Sequence, residues 1–371
     1  MDLWIYSEDF VAQGIVDTAS SIIWANRYRQ CGDFEIYVAA SAEMMELLRA
    51  DRFVVRPDDD MVGIIESVQT STSVEDGDYL LATGRCARSI LSRRIVWEQT
   101  ILDSTTENAL RQLVTDAFIS PTIPARRYDR LRLAAAHGYT DRTKAQFTGD
   151  NILEAVEALC AAKNYGFKII RGEDNDLVLD FYKGTNRSMR QSINARVLFV
   201  DEYNNLRSTI YALNKSGYKT VALVAGEGEG AARRRTVVGR TIDQEGLHRR
   251  ELFVDARDVS SNEGEIADSE YMAQLEERGG TALSEAPIVQ SMEGEIEPGQ
   301  MYTYKQDYFL GDIVTAVNKY GVPIDTQVLE VVEVWDENGY TCTPAFGTAS
   351  EADRLHAICG TFLAGEMVCG Q

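Results

Sequence analysis

Gly226, Gly228 and Gly230 alternate with Glu227 and Glu229 inside the run Tyr218–Arg240 (YKTVALVAGEGEGAARRRTVVGR), the stretch of this chain nearest in composition to a phosphate-binding loop. Such a loop needs Lys and then Ser or Thr directly after its last glycine, followed by a helix whose N-terminal amides face the phosphates. Neither feature is present. The two glutamates would repel a phosphate, and the chain leaves through Arg233–Arg235 into the β-type run Thr236-Val237-Val238. The expectation is a hairpin with a glycine-rich tip rather than nucleotide chemistry.

Other chemistry is equally thin. His137, His248 and His356 lie in unrelated segments, and no G-x-S-x-G elbow surrounds a serine. A Cys-His peptidase needs a cysteine at a helix start with a downstream histidine, whereas Cys160 falls near a helix end and His248 sits among arginines. Cys342, His356, Cys359 and Cys369 include one i,i+3 pair but no C-x-x-C half-site, so free thiols are the simpler reading. Asp174-Asn175-Asp176 begins like a calcium loop but lacks the following Gly and distal Glu, which leaves a turn between strands. Asp58-Asp59-Asp60, or Asp255 with Asp258, have the residue types of a glycosidase acid and base, yet adjacency in sequence does not make a cleft. Asp58–Asp60, following Pro57, reads as an exposed turn. No catalytic residue, metal or cofactor is expected.

Arg85, Arg88, Arg93 and Arg94 interleave with Ile90, Leu91 and Ile95. In an acidic protein they read as ion-pair partners across strands or subunits rather than as a nucleic-acid patch, and so do Arg233–Arg235. The 58 acidic and 37 basic residues give a net charge of −21, which opposes a grip on a phosphate backbone. Residues 251–300 alone carry 13 acidic and 2 basic side chains, a net −11, expected either as a solvated surface or as the lining of a negative channel. The six cysteines, without close-spaced pairs, read as reduced, buried thiols. The N-terminus has no basic region ahead of an apolar run, and no stretch approaches the about 20 apolar residues of a membrane span. The tryptophans Trp4, Trp24, Trp97 and Trp335 are dispersed within strand patterns, which favours core packing.

These residues must be positioned by about two to four compact units, given 371 residues. Residues 1–100 alternate with period two at Leu3–Tyr6, Phe34–Val38, Met61–Gln69 and Tyr79–Thr83, which predicts an antiparallel β unit with a short helix at 42–50. Ser104–Glu107 reads as a capping box before a helix that ends at Pro121. A second helix begins at Asp150 or Asn151 and stops at Gly166, and strands follow at Phe167–Ile170 and Leu177–Tyr182. Residues 101–185 thus form a small α/β insertion. Strands resume at Val197–Val200, Lys219–Val224 and Thr236–Arg240, then a helix at Ser269–Arg278 closed by Gly279-Gly280, and a β-rich block of Met301–Phe309, Asp312–Val317 and Val328–Trp335 with a hairpin turn at Asn338-Gly339. The expected division is 1–100, 101–185, 186–260 (completing the first barrel or bridging the two), 261–347 and a tail at 348–371.

Four segments in this order resemble a family of siphophage tail proteins related to the baseplate hub of contractile-tailed phages: Gly84–Val96 (GRCARSILSRRIV), a strand-like run ending in Arg93 and Arg94; Gln146–Glu154 (QFTGDNILE) with Gly149, Asp150 and Asn151; the Gly226–Gly230 hairpin with Glu251–Asp258 (ELFVDARD); and Tyr308–Val314 (YFLGDIV), containing Gly311 and Asp312, with Pro344–Gly347 (PAFG). The resemblance covers residues 1–347. It implies an α+β, mainly β fold: two barrel-like antiparallel β domains with the α/β insertion, arranged as in a baseplate hub. It also implies a homotrimeric ring at the distal end of a virion tail, contacting a distal tail protein and tip or fibre proteins, with the tape measure protein as a further neighbour and DNA only in transit. Such a protein folds in the host cytoplasm before assembly. The C-terminal enzymatic or receptor-binding extension of larger relatives is expected to be absent. Glu263, Glu265, Asp268, Glu293, Glu295 and Glu297 are the acidic residues assigned to the lumen. A tail-associated cell-wall hydrolase and a carbohydrate-binding adhesin are the rival readings.

Overall fold

The computed structural model describes residues 1–73, 77–200, 208–239, 245–261, 266–295 and 301–347. Chain contacts divide it into one unit of residues 1–211 with 292–371 and a second of residues 212–291.

The larger unit is organised by a 13-stranded sheet. From Gly339–Gly347, which also pairs antiparallel with Val289–Glu295, its antiparallel order runs through Pro323–Asp336, Ala19–Arg27, Asp33–Ala39, Gly77–Cys86, Val62–Ser73, Phe53–Val55 and Leu3–Tyr6 to Ala12–Val16. Ile313–Val317 pairs with Pro323–Asp336 and, in parallel, with Leu198–Val200. The fold is mainly β, as expected. The early and late β units share this sheet through Glu330–Trp335 against Ile22–Arg27, and among the described residues no pairing closes the open path into a barrel. Period-two burial explains the strands: Phe34, Ile36 and Val38 face a core with Leu3, Ile5, Trp24 and Leu80. Each such side chain withdrawn from water contributes about 1.5–3 kcal/mol. Met301–Phe309, expected as a strand, holds only an isolated bridge between Tyr304 and Tyr308.

Helix α1 (Ala42–Leu47) is capped by Ser41, whose hydroxyl accepts from the Met44 amide. Helix α2 (Thr106–Val114) is capped by Thr105 instead of Ser104, continues as one wide turn over Thr115–Ile119 and stops before Pro121. Glu107 closes no capping box: its buried carboxylate accepts the amides of His137, Gly138 and Tyr139, pinning a loop 30 residues away. Helix α3 (Ile152–Lys163) starts at the Asn151 cap, as expected, but ends at left-handed Asn164 and not at Gly166. Gly166 opens the strand Gly166–Arg171, where a Cβ would lie 2.1 Å from the Tyr28 ring. That strand, Leu177–Tyr182 and Leu131–Leu133 form a small sheet, and both helices share one apolar core with it.

In the second unit Val221–Ala225 pairs antiparallel with Arg235–Gly239 and parallel with Glu251–Asp255. Helix α4 (Asp268–Ser284) covers this sheet with Tyr271, Leu275 and Leu283. It runs through Gly279-Gly280 rather than ending there. A Cβ on Gly279 would lie 2.6 Å from a Val224 methyl, so the missing side chain lets helix and sheet approach closely.

Candidate assembly site

Arg56 follows the strand Phe53–Val55, and its guanidinium is fully buried, 4.2 Å from the Trp335 ring and 5.4 Å from that of Trp24. A buried guanidinium requires anions. Nη1 donates to Glu333 at 3.1 Å, and Nε and Nη2 form a fork on Asp58 at 3.0 and 2.8 Å. Asp59, expected in an exposed turn, is 4% exposed; it accepts from Asn26 at 2.8 Å and from Lys305 at 2.8 Å. Its neighbours Asp58 and Asp60 are exposed as expected. Lys305 also reaches Glu333, and the Tyr340 hydroxyl donates to Glu333 at 2.9 Å. Burial pulls the Arg56 pKa down, but Asp58, Glu333 and Asp59 outweigh it and hold it above its ordinary value. Asp58 is held below the usual carboxylate range: burial opposes ionisation, while the hydrogen bonds and charge of Arg56 and the charge of Lys305 favour it. Each carboxylate here is already engaged by a cation. The cluster is suited to fastening distant parts of the chain, not to proton transfer.

Gly311 and Asp312 form a second junction. Gly311 has φ +88°, and a Cβ there would lie 2.3 Å from the Tyr28 ring. Gly184 packs so closely that its own Cβ would meet the Gly311 carbonyl at 1.9 Å. The buried Asp312 carboxylate accepts from the Thr185 amide and Arg187 Nε, both at 2.7 Å, and from the Phe309 amide at 3.0 Å. Tyr308, Val314 and Phe346 pack in one core with Phe199, which brings the two halves of the fourth sequence segment together.

The first two segments also meet. The Val96 amide donates to the Asp150 carbonyl and the Gly149 amide to the Val96 carbonyl, each at 2.8 Å, and Gly149 takes φ +78° at that turn. Asn151 donates to the Ser92 carbonyl while capping α3. The strand expected through Gly84–Val96 stops at Cys86 and becomes a 3-10 helix over Ala87–Arg93. Its arginines divide. Arg85 pairs with Glu66 and Arg93 with Asp51. Arg94 donates to the Arg93 and Arg126 carbonyls, and buried Arg88 to the Arg27 and Phe167 carbonyls and to Cys86 Sγ, with no carboxylate pair on either among the described residues.

In the second unit the glycine-rich hairpin is present, and Gly228 (φ +96°) and Gly230 (φ +55°) explain its tip. Gly226 lies against Tyr271, whose hydroxyl accepts from the Glu227 amide at 2.8 Å. Hydrogen bonds from Ser261, then Arg234, hold the Glu227 carboxyl below its usual range. Glu229 caps the 3-10 turn Gly230–Ala232 through its backbone. Asp255 meets Arg233 at 2.5 Å and Asp258 meets Arg278 at 3.0 Å. Of the lumen candidates, Asp268 is exposed and pairs with Arg234, and Glu293 and Glu295 lie on the strand Val289–Glu295. Glu263, Glu265 and Glu297 lie outside the described residues.

His137 stacks on Tyr139 and lies 2.9 Å from Asp180. Among the described residues no group of His, Cys, Asp and Glu is arranged to hold a metal, and no helix is long and apolar enough to cross a membrane. Trp24 is buried as expected, but Trp4 and Trp97 are exposed, Trp97 to 57%.

Sequence comparison with curated proteins gives no match. Solved structures share the fold. The prophage MuSo2 43 kDa tail protein from Shewanella oneidensis aligns with a TM-score of 0.58 at 10% identity over 94% of this chain and 99% of that one. A tail protein from Neisseria meningitidis MC58 gives 0.59 at 12% identity over 94% and 98%, and prophage tail protein gp18 from Listeria monocytogenes EGD-e gives 0.54 at 12% over 93% and 94%. The profile of siphovirus ReqiPepy6 Gp37-like proteins matches residues 2–348, and the chain therefore belongs to that family of phage tail proteins.

Proposed function

We propose that this chain is the tail-tip hub subunit, three copies of which form a ring that caps the distal end of the tail tube. One face of the ring would seat on the distal tail protein, with the tape measure protein as a neighbour, and another would hold tip or fibre proteins. DNA would pass through the lumen, and an acidic lining drawn from Asp268, Glu293, Glu295 and their neighbours would let it slide by repelling phosphates. The role is assembly, not turnover, and the place of action is the virion. The observation that carries this reading is the family match over residues 2–348. The neutralised polar clusters that fasten the chain support it, because a subunit under load during ejection needs rigid joints. Immunogold labelling of intact particles with antibodies to this chain tests it: gold at the distal tail end is expected, and gold confined to the capsid or the shaft contradicts it.

One observation favours a second reading, glycan contact. Exposed Trp97 lies 5.3 Å from the Arg126 guanidinium, and both line a cavity of about 330 Å³ with Gln99, Gln112 and Asp116. An aromatic face beside planar polar groups suits a sugar ring. Trp97→Ala would then abolish binding to host cell-wall polysaccharide; unchanged binding, or none by the parent protein, removes this reading.

A further inference from the structure

Cys31 and Cys86 are 55 residues apart in sequence, yet their sulfurs lie 3.3 Å from one another. Cys31 sits in the turn between the strands Ala19–Arg27 and Asp33–Ala39, and Cys86 ends the strand Gly77–Cys86. The surroundings of Cys86 Sγ are those of an anion: Arg88 Nε donates at 3.2 Å and the Gly32 amide at 3.2 Å. Arg88 is buried and has no carboxylate pair among the described residues, so this sulfur is the group positioned to balance its charge. Burial alone would push the Cys86 thiol up, but the hydrogen bond from Cys31 and the charge and hydrogen bond of Arg88 bring it below its ordinary value, while the same contact and burial hold Cys31 protonated. Cys160 and Cys342, in contrast, are buried thiols that burial pushes up. Cys86 also lines a cavity of about 330 Å³ shared with Asp59, Lys168 and Lys305, large enough to admit a small oxidant.

We propose that Cys31 and Cys86 form a peroxide-reactive dithiol, Cys86 being the attacking sulfur and Cys31 the resolving one. In the first step the Cys86 thiolate attacks one oxygen of hydrogen peroxide. The O–O bond breaks, hydroxide leaves, and Cys86 becomes a sulfenic acid. In the second step the Cys31 sulfur attacks the Cys86 sulfur, and the sulfenic hydroxyl leaves as water with the proton that Cys31 gives up. The product is a disulfide, the two thiols having lost two hydrogens while peroxide is reduced to water. Arg88 is a positioning residue that keeps Cys86 ionised. The bond would fasten the turn at Cys31 to the end of the neighbouring strand. On the virion reading above, it would form once a particle leaves the reducing cytoplasm; the reaction itself does not depend on that reading.

The test treats the folded full-length chain with stoichiometric hydrogen peroxide, blocks the remaining thiols, and maps linked peptides by mass spectrometry. A Cys31–Cys86 linked peptide with Cys160 and Cys342 still reduced is expected. In Cys31→Ser, a dimedone adduct on Cys86 is expected in place of the link, and in Arg88→Lys linkage should slow by at least about tenfold at neutral pH while circular dichroism matches the parent. Cys31 and Cys86 remaining free in the folded protein while a denatured sample oxidises would overturn the proposal. So would a dimedone adduct on Cys160 or Cys342 in preference to Cys86.

Discussion

The Arg56 guanidinium donates to the Glu333 carboxylate at 3.1 Å although 277 residues separate them, and both side chains are buried. This contact joins the turn after an early strand to the strand Pro323–Asp336, which itself pairs with Ala19–Arg27. Removing Glu333 takes a buried acceptor from Arg56 while the Asp58 fork still balances part of its charge, at a cost of about 1–3 kcal/mol. Glu333→Ala is therefore expected to lower the larger unit's stability by that amount in denaturant unfolding, whereas Glu66→Ala, which breaks the exposed pair with Arg85, should cost less than about 1 kcal/mol. Equal effects would mean that the buried cluster is not a structural joint.

Two glycines with positive φ should respond differently to one methyl group. Gly149 and Gly311 both have positive φ, but a Cβ on Gly149 meets nothing within 4 Å, whereas one on Gly311 lies 2.3 Å from Tyr28. Gly149→Ala carries only the left-handed backbone strain, about 1–2 kcal/mol. Gly311→Ala adds overpacking against an aromatic ring and should cost at least about 3 kcal/mol in the same unfolding measurement.

Within α4 the contrast lies between adjacent residues. Gly280 faces open space and has no positive φ, so Gly280→Ala should stabilise the second unit by about 0.5–1 kcal/mol. Gly279→Ala drives a methyl into Val224 and Val238 and should destabilise it. Hydrogen exchange of the strand Val221–Ala225 reads both effects.

Asp58 gives a pH prediction. Its folded pKa lies below its ordinary value, so its contribution to stability is complete above the unfolded carboxylate pKa of about 3.9 and is lost as pH falls through the lower, folded value. The stability difference between the parent chain and Asp58→Asn should stay constant from neutral pH to about 5 and shrink below about 4. A difference that shrinks instead between pH 6 and 8 would assign the effect to another group.

The locally coded parts of this architecture are readable from sequence. The alternation of Phe34, Ile36 and Val38, the Asn151 cap, the turn at Gly339 and the glycine-rich hairpin each depend on neighbours within a few residues. Gly279 and Gly166 mislead because a glycine needed for close packing looks the same in sequence as one that ends a helix. Glu107 fits a capping-box spacing but serves a loop beyond its own helix. The Arg56 cluster is hidden from local sequence because it depends on residues from distant parts of the chain. One signal was available: Glu333 falls at an inward position in the alternation with Val331, and a carboxylate there calls for a buried cation. The exposure of Trp97 had no such signal.

The proposed hub role predicts a definite stoichiometry, and the solution mass of the purified chain, measured by light scattering with negative-stain imaging of the same peak, tests it most directly. A species near three times 41.4 kDa, seen as a ring with a central hole, is the predicted result. A monomer that persists across the accessible concentration range and shows no ring would contradict a self-assembling trimeric hub.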